Sequence, residues 1–256
     1  MLRSLSKKVW YMEPEHRSDR PALGYIRGGK YAFAVDAGAS EDHVNAFYAA
    51  LRGQGLPLPA LTGISHYHWD HSYGAPYVHG LTLASDKCNQ FLRRESGFSW
   101  TREAMRERLD KKIDVEFGYY SKLMEYPDPS RITVVPSDIE ITGDTAVDLG
   151  GVTVEILYCG GPHSDDHLMF FVPEEKILFV SDASGKELMT LDWAYDPAHP
   201  ELLQDTIAAL PYNPVKLRPY VELLRGLNFE RCVLGHADTV LTKKQLLRDL
   251  EPHLEP

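Results

Sequence analysis

The chain of 256 residues is 43% hydrophobic and 25% charged, the balance of a globular protein with a sizeable core rather than a disordered or fibrous one. Its net charge of -10 argues against nucleic acid or an anionic membrane as partner, and no apolar run approaches the length that spans a bilayer. Three distant cysteines, Cys88, Cys159 and Cys232, read as free thiols in a reducing compartment, and residues 1–8 lack the apolar stretch of a signal peptide, so a cytoplasmic location is expected.

Taken in order, residues 9–12 form a short apolar run with the look of an edge strand. Residues 23–26 and 31–35 flank Gly28-Gly29, the pattern of two strands joined by a hairpin turn. The second strand leaves through Asp36-Ala37-Gly38, where Asp36 either forms a turn or holds a neighbouring ligand by a hydrogen bond. Ser40 is expected to cap a helix whose Val44, Phe47, Tyr48 and Leu51 share one face, with Gly53 as its stop.

Residues 60–64 read as a buried strand, and directly after it comes Ser65-His66-Tyr67-His68-Trp69-Asp70-His71. Three imidazoles and a carboxylate fall within six residues. His66 and His68, two apart in near-extended backbone, leave on one face, and Asp70 and His71 follow where the chain turns. These are ligand types that zinc and other borderline divalent metals prefer. The cluster suits one metal alone, or two if further ligands arrive.

Beyond it, residues 81–84 read as a strand and Ser85-Asp86 as the opening of a helix to about Arg94. Met105, Leu109, Ile113, Phe117, Tyr120 and Met124 recur at steps of three or four, which predicts one long amphipathic helix or a broken pair, ended by Pro127 and Pro129. Residues 96–128 thus interrupt a strand-rich chain as a helical insertion within a single domain spanning 1–256. Its aromatics, Trp100, Phe117, Tyr119, Tyr120 and Tyr126, are read as core first and as an active-site lid second. The segment either packs on the cleft or builds a homodimer contact.

Strands are expected to resume at 132–135, 139–141, 146–149 and 152–158. The loop Cys159-Gly160-Gly161-Pro162-His163-Ser164-Asp165-Asp166-His167 follows. A hairpin at 168–172 and 176–180 runs into Ser181-Asp182. One helix is expected to start near Pro200 and another near Pro219, where proline suits a first turn. Residues 232–234 form a last strand entering Gly235-His236, and Thr242 caps the last helix.

His163, Asp182 and His236 therefore each follow a strand. With His66, His68, Asp70 and His71 they make seven potential ligands, the supply a two-metal site needs. His167 is read as a packing or supporting histidine, and His16, His43, His79, His199 and His253 as ordinary ones. Asp165 and Asp166 form either a capped turn or a local negative field.

The His-x-His-x-Asp-His string, the later His, the strand-end Asp and the C-terminal Gly-His, together with Val35-Asp36-Ala37-Gly38, resemble the metallo-β-lactamase superfamily over residues 23–240. The resemblance implies an α+β fold, a four-layer αβ/βα sandwich with a metal cleft at one edge. It implies that His66, His68 and His163 hold a first metal and that Asp70, His71 and His236 hold a second, with Asp182 bridging. The set is similar to that of glyoxalase II, lactonases and RNase Z, and unlike the flavodiiron branch, where a Glu is expected at the position of His68. The implied cofactors are two divalent ions, zinc before manganese or iron. The implied reaction is hydrolysis of a small ester, thioester or lactone by a hydroxide shared between the ions, with Asp70 carrying a proton.

Two subfamily marks are missing. No Tyr follows Asp182 closely, as in acyl-homoserine lactonases, and nothing in the sequence puts Tyr195 in that role. The Gly-rich, Arg-containing stretch of glyoxalase II is also absent after Gly185. A phosphodiesterase, a metal-binding sensor without turnover and an iron redox protein are the alternatives. The expected partner is a small-molecule substrate.

Overall fold

The computed structural model describes residues 1–184 and 214–254. A seven-stranded sheet is built from β1 (Leu2–Ser4), β2 (Val9–Met12), β3 (Leu23–Arg27), β4 (Ala32–Val35), β5 (Leu61–Gly63), β6 (Leu81–Ser85) and β7 (Ile139–Ile141), in that spatial order. Strands β1 to β4 run antiparallel, and β4 to β7 pair in parallel. A six-stranded sheet follows from β8 (Thr145–Asp148), β9 (Thr153–Tyr158), β10 (Leu168–Val172), β11 (Ile177–Ser181), β12 (Arg231–Leu234) and β13 (Leu241–Thr242). Its β11 and β12 are parallel and its other pairs antiparallel.

The sheets face each other across one apolar layer that includes Ile26, Phe33 and Val35 from the first and Ile156, Phe170, Ile177 and Phe179 from the second. On the outer face of the first sheet, α1 (Glu41–Gly53) lays Val44, Phe47, Tyr48 and Leu51 against Tyr25 and Ala34. On the outer face of the second, α6 (Pro214–Gly226) and α7 (Lys243–Leu250) bury Leu217, Val221, Leu246 and Leu250 against Phe171, Leu178 and Cys232. Helix, sheet, sheet and helix make the four layers of an α+β sandwich. Both flanking faces follow from apolar residues at helical spacing meeting every second residue of a strand.

The helix starts obey their capping residues. Ser40 accepts from the backbone N–H of His43, Ser85 caps α3 (Asp86–Glu95), and Thr242 makes a reciprocal capping box with Gln245. The amphipathic stretch after residue 101 is a broken pair. Helix α4 (Arg102–Asp110) stops just before Lys112, which takes φ +58°, and α5 (Glu116–Glu125) follows as a separate helix. Trp100, Tyr119 and Tyr126 pack with Ile64, Trp69 and Tyr73 as core, while Tyr120 is exposed.

Two expectations need correction, and one strand went unread. Residues 132–135 form no strand: Ile132 and Val134 are buried in the helical cluster, but β7 takes the edge position beside β6, so their alternation has no ladder to join. Pro219 lies inside α6, which is described from Pro214, and not in its first turn; its side chain is exposed while Leu217, Tyr220 and Val221 beside it are buried. Strand β1 carries only one buried residue, too weak a pattern to have been read. The helix expected near Pro200 and Tyr195 lie outside the described residues. No helix among the described residues is long and apolar enough to cross a membrane.

Candidate metal centre

All seven candidate ligands sit at the same edge of the sandwich, where β5, β11 and β12 end. They fall into two groups, His66, His68 and His163 in one and Asp70, His71, Asp182 and His236 in the other, with the ligand atoms of each group within 4.8 Å of one another. The groups meet at Asp182. Its Oδ2 lies 3.9 Å from Nε2 of His66 and 3.8 Å from Nε2 of His163 on one side, and 3.2 Å from His71 and 3.4 Å from His236 on the other.

The local backbone explains how six residues deliver four of these groups. After β5 the chain is held in place by Ser65 N–H donating to Asp36 Oδ1 at 2.7 Å and Tyr67 N–H donating to Asp166 Oδ2 at 2.7 Å. One helical turn, α2 (Trp69–Ser72), then swings Asp70 and His71 back over the sheet edge, with Trp69 buried as its apolar anchor. The Ser72 hydroxyl closes the turn onto the carbonyls of Tyr67 and His68.

Asp36 governs the orientation of two rings. It sits at the end of β4 with φ +66°, a conformation Asp tolerates better than most residues. Its Oδ2 accepts from Nδ1 of His71 at 2.9 Å and from the Ser181 hydroxyl at 3.0 Å. Ser181 accepts in turn from Ser65 at 2.9 Å, and Ser65 lies 3.0 Å from Nδ1 of His66. The hydroxyls thus run a chain of donations from His66 to Asp36, which puts the Nε2 lone pairs of both His66 and His71 toward the centre.

The residues fit cations. Nε2 of His66 and Oδ1 of Asp182 are buried with no hydrogen-bond partner among the described residues, although each side chain is aimed into a polar cluster. Nε2 of His163 and Nδ1 of His68 lie 3.0 Å apart, close enough for both to reach one cation. The backbone beneath is cleared for this purpose: a Cβ on Gly235 would stand 1.9 Å from Oδ1 of Asp182.

The electrostatics differ between the groups. Burial, reinforced by neighbouring imidazoles, drives His66 and His163 well below the ordinary imidazole range, and burial takes His68 down to about 4. These rings are neutral and offer lone pairs. At His71 burial opposes charge, but the Asp70, Asp182 and Asp36 carboxylates prevail and raise it well above 6.5; Asp182 and Asp19 do the same for His236. This half of the site is an anionic hollow that calls for positive charge.

His167 stands outside both groups. Its Nε2 donates to the Val180 carbonyl at 3.1 Å, and its ring stacks on His66 at 4.9 Å, so it supports a ligand rather than competing with it. Asp166 is fully buried and turned onto backbone, with the Ser164 hydroxyl as a further donor, while Asp165 pairs with Lys216. Of the two readings of this pair, a capped turn or a local negative field, these partners favour the first. Two residues escaped sequence reading: Asp19, whose Oδ1 is 3.3 Å from Nδ1 of His236, and Ser181, the relay to Asp36. Neither belongs to a spaced motif; a strand-end Ser beside Asp182 was the available signal for the second. The cysteines play no part, since burial pushes the Cys159 and Cys232 thiols up to about 12.

The family model described as the metallo-beta-lactamase superfamily matches residues 23–236. No curated protein matches the sequence significantly. Among solved structures, a metallo-beta-lactamase from Pontibacter korlensis is 15% identical with a TM-score of 0.64, the alignment covering 100% of this chain and 98% of that one. A metallo-beta-lactamase family protein from Thermus thermophilus is 18% identical with a TM-score of 0.65, over 98% of this chain and 80% of that one. A sec-alkyl sulfatase is 14% identical with a TM-score of 0.65, over 99% of this chain but only 41% of its own. At such identities the likeness is one of fold.

Proposed function

The chain belongs to the metallo-β-lactamase superfamily, and from that premise we propose that it is a metal-dependent hydrolase that holds two divalent cations, zinc first, and cleaves a small ester, thioester or lactone. The observation that carries this reading is the position of Asp182 Oδ2, between Nε2 of His66 and His163 at 3.9 and 3.8 Å and Nε2 of His71 and His236 at 3.2 and 3.4 Å. One carboxylate oxygen flanked by two donor sets is what sharing between two cations requires. His66, His68 and His163 would hold one cation and Asp70, His71 and His236 the other, with Asp182 within reach of both.

When bound, such a pair supplies Lewis acidity, lowering the pKa of water toward 7 and stabilising negative charge on a reacting acyl oxygen. The chain's own residues do the rest. Asp36 fixes His71 directly and His66 through Ser65 and Ser181, so the donor atoms need no reorganisation. Asp70 is held in its ionised form by His71 and His236, against the effect of burial. Its Oδ2 lies 3.1 Å from Nε2 of His236. Asp70 takes the proton that water loses on attack and returns it to the departing alkoxide or thiolate. Water thus adds across the acyl C–O or C–S bond, leaving an alcohol or thiol and a carboxylic acid that ionises by losing its proton to solvent. The acidic surface and the lack of a basic cluster favour a small molecule over nucleic acid.

The test is elemental mass spectrometry of protein purified without added metal, for the wild type and Asp182→Ala, followed by a screen of lactones, thioesters and esters. Two zinc per chain in the wild type, clearly fewer in the variant, and turnover of one substrate class that the variant loses are expected. No stoichiometric metal even after reconstitution overturns the reading.

A further inference from the structure

The 96–128 segment reaches the far side of the site through Glu125, the last residue of α5. Its carboxylate, 1% exposed, accepts from Nε of Arg20 at 3.0 and 2.9 Å, from the second guanidinium arm at 2.8 Å and from the Ser18 hydroxyl at 2.7 Å, with the Ser40 hydroxyl as a further donor. Ser18 and Arg20 are the two neighbours of Asp19. With both flanks tied to one buried carboxylate, Asp19 takes φ +61° and turns the opposite way, toward His236. The loop is closed by paired backbone hydrogen bonds between Glu15 and Arg20, both 2.9 Å, and is fastened to the His236 strand end by Ala22 N–H donating to the Gly235 carbonyl at 2.7 Å.

At the end of this brace the Asp19 carboxylate, 18% exposed, stands 3.3 Å from Nδ1 of His236. That nitrogen is buried and forms no aligned hydrogen bond. The contact is just outside ideal hydrogen-bond range; burial, with the nearby Asp70 and Asp182 charges, pushes the Asp19 carboxyl up to about 8, and the His236 ring acts against that rise. Catalytic hydrogen bonds are often loose in unliganded sites and tighten on loading.

We propose that Asp19 is a positioning residue for His236, and that Glu125 sets it there through Ser18 and Arg20, so that the affinity of the Asp70, His71, Asp182 and His236 group for a divalent cation depends on a helix of the 96–128 segment. The inference rests on the two-cation reading above. An imidazole whose Nδ1 hydrogen is held by a carboxylate is fixed in tautomer and orientation and is more basic at Nε2. Asp36 does this for His71; Asp19 does it for His236 from the opposite side of the cleft.

The test is zinc titration of the full chain against a competing chromophoric chelator, for wild type, Asp19→Asn, Ser18→Ala and Glu125→Gln, with circular dichroism to establish folding and cobalt substitution to give each site a spectrum. Asn keeps the left-handed backbone at position 19 but removes the charge. Asp19→Asn is expected to weaken one of two zinc constants by about 10–100-fold and to alter the cobalt bands of that site alone. Ser18→Ala and Glu125→Gln are expected to do the same to a smaller degree; if Glu125→Gln does not fold, Ser18→Ala, which leaves no buried charge unpaired, carries that arm. A wild type that takes no second zinc overturns the two-cation reading and this inference with it. A wild type with two zinc and a folded Asp19→Asn with both constants unchanged overturns the inference alone. Loss in Asp19→Asn without any in the folded Ser18 or Glu125 variants overturns the role given to the helix.

Discussion

Asp36 and His71 are joined at 2.9 Å, carboxylate to Nδ1, with both side chains no more than 1% exposed. The pair is buried under the sheet edge, and the other ring nitrogen of His71 is 3.0 Å from Asp70 and 3.2 Å from Asp182. Replacing Asp36 by Asn keeps its left-handed backbone but removes the charge that fixes the ring. Zinc affinity is expected to drop about 10–100-fold while the fold is retained. Chelator competition alongside circular dichroism checks this, and an unchanged affinity would sink the role assigned to Asp36.

Gly235 gives a sharper probe because its effect is steric. A methyl group there collides with Asp182 Oδ1 and comes within 3.3 Å of His71 Cε1. Gly235→Ala is expected to displace Asp182 and lose at least one metal per chain, at a stability cost of about 1–3 kcal/mol from overpacking. Metal analysis and denaturant titration separate the two effects.

His43, which is not one of the candidate ligands, predicts a pH dependence of stability. Burial, with help from nearby Arg20 and His71, lowers its pKa to about 3, and its Nδ1 accepts from the Ala39 N–H at 3.2 Å. Between pH 6.5 and 3 the unfolded chain binds a proton here that the folded chain refuses. Stability from this residue is therefore complete above pH 6.5 and falls as the pH drops through that window, by about 1.4 kcal/mol per pH unit. His43→Asn, whose Oδ1 can take the place of Nδ1, is expected to show an acid slope shallower by up to one proton. Equal slopes would rule the account out.

The packing between the sheets is tested at Phe170. Its ring meets Phe33 of the other sheet at 5.6 Å between centroids and is fully buried. Phe170→Ala is expected to cost about 3–5 kcal/mol, read as a lower urea midpoint with an unchanged slope.

Much of this was legible in the sequence because the chemistry is concentrated. The His66–His71 string stands out in one dimension, and His163, Asp182 and His236 each follow an apolar run, so strand-end placement needed no knowledge of pairing. The capping residues Ser40, Ser85 and Thr242 were equally plain, since a cap is a local bond. What could not be read depends on contacts distant in the chain. Asp19 becomes relevant only because Glu125, far along the chain, ties down both its neighbours. Residues 132–135 alternate like a strand, but whether such a segment joins a ladder depends on which other segment takes the edge. Pro219 misled because the rule that favours proline in a first turn does not place every proline of a helix there.

The two sheets also divide the chain by time of synthesis. Everything up to Ile141 builds the first sheet, and everything from Thr145 onward the second. His66, His68, Asp70 and His71 emerge with the first half; His163, Asp182 and His236 come with the second. Each candidate ligand group draws on both halves, so neither is complete in a nascent chain until part of the second half has been made: His163 for one, Asp182 and His236 for the other. On the two-cation reading, an ion gripped from both halves would act as a clasp against their parting.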